Sequence, residues 1–299
     1  MKVLITGGTG FIGRALAGNL LQQGHEVTVL TRSPSSAAAR LPHGTTISTS
    51  LSEIGAIDAV INLAGESLAA RRWTAARKQA IRDSRIVTTR QLCQWMETLT
   101  VKPQVLISGS AIGWYGARQD EYLGEDAAPG NDFASQLCQD WEAEAEQAMA
   151  LGIRVCTIRI GVVLGPVEPD GGGALAQMLL PFRFGLGGPM GSGKQWMSWI
   201  HRNDLVALIH FLMQTPDATG PFNATAPTPV RNRELATTLG RVIHRPAFMP
   251  MPAIALRLIV GEMADVLLTG QRVVPRKAEQ LGFRFQYPQL EEALTDILR

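Results

Sequence analysis

Residues 2–13 read Lys2-Val3-Leu4-Ile5-Thr6-Gly7-Gly8-Thr9-Gly10-Phe11-Ile12-Gly13, and this stretch decides the fold. The apolar run at residues 2–6 predicts a buried strand, and the periodic segment at residues 12–23 predicts a helix directly behind the glycines. Glycines between a strand and a helix have a specific physical use. Gly7 permits the tight turn out of the strand, Gly10 lets a pyrophosphate approach main-chain N–H groups at the helix N-terminus, and Gly13 lets helix and strand pack closely. The stretch predicts a dinucleotide site that includes Gly7, Thr9, Gly10, Phe11, Ile12 and Gly13.

The next predicted strand, residues 26–31, ends in Val29-Leu30-Thr31-Arg32-Ser33. A site built for NAD offers an acidic residue to the ribose 2′-hydroxyl at this point. Here Thr31 is followed by a cation. Arg32 can pair with a 2′-phosphate through a charge-assisted fork and stack on the adenine, where a carboxylate would repel the phosphate. The expectation is that NADP(H) is preferred over NAD(H). A solvated loop arginine is the plainer reading of the same residue.

Outward from this unit, residues 56–63, 104–108 and 154–160 read as further buried strands. They alternate with helical segments at 85–99 and 133–151. Strands separated by crossover helices give a parallel sheet with right-handed connections, so the fold class is α/β, a Rossmann doubly wound sheet. Glycine and proline crowd residues 161–193, and later helices start near Asn203, Asn232 and Pro252. The expected division is a dinucleotide-binding Rossmann domain at 1–165 and, mainly, a smaller C-terminal substrate lobe at 166–299, with the chain free to recross between them.

Composition excludes several classes. With 299 residues, 45% hydrophobic and 18% charged, the chain is neither disordered nor fibrous. A formal net charge of +2, from 28 Lys+Arg against 26 Asp+Glu, supplies no field for a nucleic-acid or anionic-membrane partner. Glycines interrupt the N-terminal apolar run where an export signal needs continuity. Residues 253–268 are crossed by Arg257, Glu262 and Asp265 and read as an amphipathic helix. Cys93, Cys138 and Cys156 are odd in number and lack metal-ligand spacing, so the reading is a reducing, cytoplasmic protein with no metal site.

Taken with Asn62-Leu63-Ala64-Gly65, Ser108-Gly109-Ser110, Tyr115-Gly116, residues 159–166, residues 193–205 and Phe222-Asn223-Ala224, the glycine stretch resembles the extended, epimerase-type branch of the short-chain dehydrogenase/reductase superfamily. Through Glu66, Ser84-Arg85 and Gly270-Gln271-Arg272-Val273-Val274-Pro275 it is similar, more narrowly, to the YfcH-type group of epimerase-family proteins. The resemblance implies that Leu63, Ala64 and Gly65 lie beside the adenosine and ribose. It also implies that Ser84 and Arg85 add coenzyme contacts and that Ile160 meets the nicotinamide.

The resemblance further implies a serine, a tyrosine and a lysine four residues after it. Tyrosine transfers the proton, lysine lowers its pKa and serine holds the substrate oxygen. Ser110 matches the serine, although Gly113 and Trp114 lengthen its spacing to Tyr115-Gly116. Alignment on Glu142 puts Ala134 at the tyrosine and Cys138 at the lysine, and neither can do that work. Tyr115, Tyr122 and Asp140 are substitute acids without a motif behind them; Tyr115 reads first as a wall residue, and Asp140, with Glu142 and Glu144, reads first as a solvated helix face. His201 reads as structural, near the lobe junction. Trp196, Met197 and Trp199 fit a substrate pocket or a packed interface. Arg71, Arg72, Arg77, Lys78 and Arg82 fit an anionic substrate or a solvated helix face. The expected function is an NADP(H)-binding oxidoreductase or epimerase acting on a small carbonyl or nucleotide-sugar-like compound. The alternative is a catalytically silent NADP(H) sensor.

Overall fold

The computed structural model describes residues 1–68, 71–168 and 173–299. Gly171 and Gly172, part of the glycine-rich stretch, lie outside the described residues. Seven parallel strands form one sheet: β1 (Lys2–Thr6), β2 (Glu26–Leu30), β3 (Thr46–Ser48), β4 (Ala59–Asn62), β5 (Val105–Ala111), β6 (Arg154–Ile160) and β7 (Gly220–Ala224). Their spatial order is β7-β6-β5-β4-β1-β2-β3. This is the doubly wound order with one strand added at the edge, and its direction reverses between β1 and β4.

The pleat explains the two cores. Val3 and Ile5 face one side of the sheet and Leu4 the other, all fully buried. On the first side lie α1 (Phe11–Gln22), through Leu16, Ala17 and Leu20, and α5 (Arg202–Gln214), through Leu205, Leu208 and Leu212. On the other side α2 (Ala75–Thr98) and α3 (Phe133–Glu146) contribute Leu92, Met96 and Ala145. A separate core in the C-terminal part joins α4 (Ala174–Arg183), α6 (Asn232–Val242) and α8 (Leu290–Leu298) through Leu179, Leu239 and Leu294, with Trp199 among them.

Several expectations change. The α2 helix begins at Ala75, capped by Thr74, which accepts from the Arg77 N–H, and not at Arg85. Its first turns are polar and exposed, so no apolar period marked them. The stretches at β3 and β7 carry too few apolar residues in sequence to announce strands; pairing with β2 and β6 makes them so. Because α5 and β7 rejoin the sheet, part of the chain after residue 165 completes the Rossmann layer. The segment 253–268 is not one amphipathic helix. It turns at Gly261 (φ 67) after α7 (Ala253–Val260), and α7 buries only Leu256 while Ile254, Leu258 and Ile259 stay exposed. Among the described residues no helix is long and apolar enough to cross a membrane.

Candidate functional site

The C-terminal ends of β2, β1, β4 and β5 are aligned: Thr6 pairs in register with Leu30 and Asn62, and Asn62 with Ser108. A buried hydrogen-bond hub locks this edge. Thr6 Oγ1 donates to Asn62 Oδ1 at 2.6 Å, and Asn62 Nδ2 donates to Thr89 Oγ1 at 2.8 Å, tying the sheet to α2. The strands therefore present their connecting loops around one crevice at the point where strand order reverses.

The glycines divide their roles by geometry. Gly7 has φ 70, and a Cβ on it would lie 2.4 Å from Leu63 O. A Cβ on Gly13 would lie 2.3 Å from Gly7 O, so this residue lets α1 sit against the loop. At Gly10, the N-cap of α1 and a residue of the crevice wall, an added Cβ would meet only Gly7 O, at 3.2 Å. No side chain caps α1. Its first-turn N–H groups and partial positive charge are thus an anion-binding surface.

The crevice has a volume of about 1160 Å³. It brings together Gly7, Thr9, Gly10, Thr31, Arg32, Leu63, Ala64, Gly65 and Ser84. Arg32 is exposed at its margin. Sequence reasoning missed Thr49, Ser50 and Leu51 after β3, and a face of α2 formed by Ala80, Asp83, Val87, Thr88, Gln91 and Gln94. The i, i+3, i+4 spacing of that face was readable once the helix start was known.

Other expected contacts lie elsewhere. The Phe11 ring stands under the Arg202 guanidinium, 4.7 Å from it, and against Gly165 and Gly173, bridging α1 to the later chain. Ile12 packs against the core and Gly13 is buried. Arg85 is behind the turn after β4: it donates to Glu66 O at 3.1 Å and Ile81 O at 3.0 Å, and burial lowers its pKa to about 10. Ser84 Oγ accepts from the Glu66 N–H at 3.0 Å. Both residues hold the loop that carries Ala64 and Gly65. Ile160, half-buried, ends β6 between Ala111 and Ala224 and is not in the crevice wall.

Ser110 and Tyr115 are enclosed. Ser110 is 3% exposed, and its hydroxyl donates to Glu142 Oε1 at 2.5 Å. Arg159 grips the same carboxylate through two bonds of 2.9 Å. Tyr115 is 0% exposed; it donates to Asn223 Oδ1 at 2.6 Å and accepts from Arg159 at 3.1 Å. Burial pushes its phenol up to about 12. The Trp114 ring lies 3.8 Å from the Arg159 guanidinium. Tyr122 is exposed and stacked by Arg272, and Asp140 pairs with Arg82 on the surface of α3. Cys138 is buried with its thiol near Ala111 O, and burial raises its pKa to about 11, so no charged group stands at the lysine position. The basic segment is largely paired: Arg77 with Glu66, Lys78 with Glu262, and Arg72 with Ile259 O. His201, Met197 and Trp199 are buried, and Trp196 is half-buried.

The family model for NAD dependent epimerases and dehydratases matches residues 3–224, a span that contains the whole sheet and the crevice. The chain belongs to this family. A second model, a domain of unknown function, matches residues 251–297. The Bacillus subtilis epimerase family protein YfhF is 39% identical over 303 residues, covering 100% of this chain and 98% of that one. The crystal structure of human epimerase family protein SDR39U1 (isoform2) with NADPH superimposes with a TM-score of 0.89 at 35% identity, covering 99% of both chains. The nucleoside-diphosphate sugar epimerase from Corynebacterium glutamicum has a TM-score of 0.79 at 31% identity, over 100% of this chain and 58% of that one. The fold of this family member is thus shared across its length with a relative whose crystal structure contains NADPH.

Proposed function

We propose that this chain is an NADP(H)-binding protein, with NADP(H) preferred over NAD(H), that holds the coenzyme in the glycine crevice without the superfamily's side-chain proton relay. The residues fit the group. Gly10 leaves space beside the uncapped start of α1, whose N–H groups would hold a pyrophosphate; Leu63, Ala64 and Gly65, in the same crevice wall, would flank the adenosine, and Arg32 would offer its guanidinium to a 2′-phosphate. The bound nicotinamide would supply hydride exchange. The observation that carries the reading is the enclosure of Ser110 and Tyr115: both hydroxyls are buried and committed to partners inside the protein, Glu142 and Asn223, and not turned to a substrate in the crevice. The function is then to report the NADP(H) state to a partner through lobe closure. Its three cysteines are buried and unpaired, which agrees with a reducing, cytoplasmic setting.

A second reading is supported by the Corynebacterium relative's designation as a nucleoside-diphosphate sugar epimerase. It is an oxidoreductase or epimerase that acts on a small carbonyl or nucleotide-sugar-like compound, with a proton source other than Ser110 or Tyr115. One experiment separates the two. NADPH binding is measured by fluorescence titration, and NADPH consumption is followed against a panel of carbonyls and nucleotide sugars. Tight binding with no turnover supports the first reading, turnover supports the second, and absence of binding removes both.

A further inference from the structure

A second cavity, of about 680 Å³, lies away from the coenzyme crevice and shares no wall residue with it. Its size falls within the range of small-molecule sites, about 300–1,000 Å³. Three segments distant in sequence, residues 117–120, 193–196 and 268–270, converge on it, with Arg231 and Arg233 at the start of α6. The close approach is built in. A Cβ on Gly270 would lie 2.3 Å from Trp196 O, and one on Gly193 would lie 2.8 Å from Pro189 Cβ.

The charge in this cavity is one-sided. Arg118, Lys194, Arg231 and Arg233 line it against a single carboxylate, Asp120. Asp120 is already engaged: its Oδ1 accepts from Trp196 Nε1 at 2.8 Å and from Arg231. Those two bonds hold its carboxyl below the usual carboxylate range. Among the described residues, Lys194 and Arg233 form no salt bridge. One guanidinium of the wall is also held in place: Arg231 lies 4.0 Å from the Trp196 ring, whose surroundings Arg272 completes from outside the cavity wall at 4.1 Å. Like charges fixed within one cavity repel, and an anion between them relieves that repulsion while gaining charge-assisted hydrogen bonds.

The geometry points to a second small-molecule site in this cavity, one that takes a compound carrying a phosphate or diphosphate group. Lys194 and Arg233 supply positive charge that no carboxylate among the described residues neutralises, beside Arg231, which is braced on Trp196 and bonded to Asp120 and Lys194 O. The site is independent of the coenzyme reading, because none of its residues touches the glycine crevice.

The test is calorimetric titration with inorganic pyrophosphate of the full chain, of a Lys194→Gln, Arg233→Gln double variant, and of Gly10→Val. Both replaced cations are exposed, so the double variant retains its fold, which a thermal melt checks. The expected result is saturable binding that weakens by about tenfold or more in the double variant and persists in Gly10→Val. Pyrophosphate binding lost in Gly10→Val and kept in the double variant would place the anion at the glycine loop and overturn the proposal. Absence of binding would overturn it too. Citrate binding as tightly as pyrophosphate, by the same residues, would overturn the phosphate assignment.

Discussion

Ser110 Oγ donates to Glu142 Oε1 at 2.5 Å across the gap between β5 and α3, and Arg159 on β6 closes the same carboxylate from the other side. The pair Glu142–Arg159 is almost fully enclosed, with side-chain exposures of 4% and 3%. Breaking one half of a buried ion pair leaves an uncompensated charge, at a cost of about 3–5 kcal/mol. Glu142→Gln is therefore expected to lower the urea midpoint strongly. Ser110→Ala, which leaves the pair intact, is expected to cost about 1–3 kcal/mol. Both variants, while folded, keep the wild-type affinity for NADPH. A Ser110→Ala protein of unchanged stability and weakened coenzyme binding would show that the hydroxyl faces the crevice.

The proposed coenzyme preference rests on Arg32, which lines the crevice. In Arg32→Glu the charge facing the 2′-phosphate is reversed, so NADPH is expected to weaken by roughly 2 kcal/mol or more, about thirtyfold, while NADH changes little or gains. Parallel fluorescence titrations with the two coenzymes decide it. Equal losses would mean that Arg32 does not meet the phosphate.

The order of the first two strands, the glycine turn and the charge at Arg32 were all legible, because each is set by residues adjacent in sequence. The crevice wall from Thr49–Leu51 and from the face of α2 was not, because only the sheet's curvature and helix packing bring those segments beside β1. Ser110 shows the sharper limit. Its identity was plain, but successive side chains of a strand point to opposite faces, so one residue of register decides between a crevice and the Glu142 network. Tyr115 likewise needed Asn223, a residue 108 positions away, to reveal that its hydroxyl is occupied. Phe11, assigned to the coenzyme by the glycine stretch, and Arg85, assigned by the resemblance, have side chains that packing turns to support the loops.

The three glycines of the loop are expected to fail differently. Gly10→Val fills the space at the mouth of α1 while meeting only one main-chain oxygen at 3.2 Å, so the fold survives and dinucleotide binding is lost. Gly13→Val drives a side chain into Gly7 O and the Gly8 main chain, and Gly7→Val adds strain at φ 70, so both lower the melting temperature of the coenzyme-free protein. Circular dichroism melts together with NADPH titration separate the classes. Unchanged affinity in Gly10→Val would reduce the loop to a turn.

His201 makes stability depend on acid. Its Nδ1 accepts from the Asn203 N–H at 3.1 Å, capping α5, and its ring lies 4.0 Å from that of Tyr287. Burial lowers its pKa from 6.5 to about 4, against the opposing pull of Asp296 at 3.4 Å. The unfolded chain therefore takes up a proton near pH 6.5 that the folded chain refuses until about pH 4. The stabilisation is complete above pH 6.5 and is lost progressively as pH falls to about 4, to a total of about 3 kcal/mol. His25 and His210, whose pKa values burial also lowers, act in the same sense. His201→Asn retains a capping acceptor but has no proton to gain. Urea unfolding followed from neutral pH to pH 4 is expected to show a shallower decline for this variant than for the parent, and parallel declines would mean that His201 titrates as an ordinary exposed imidazole.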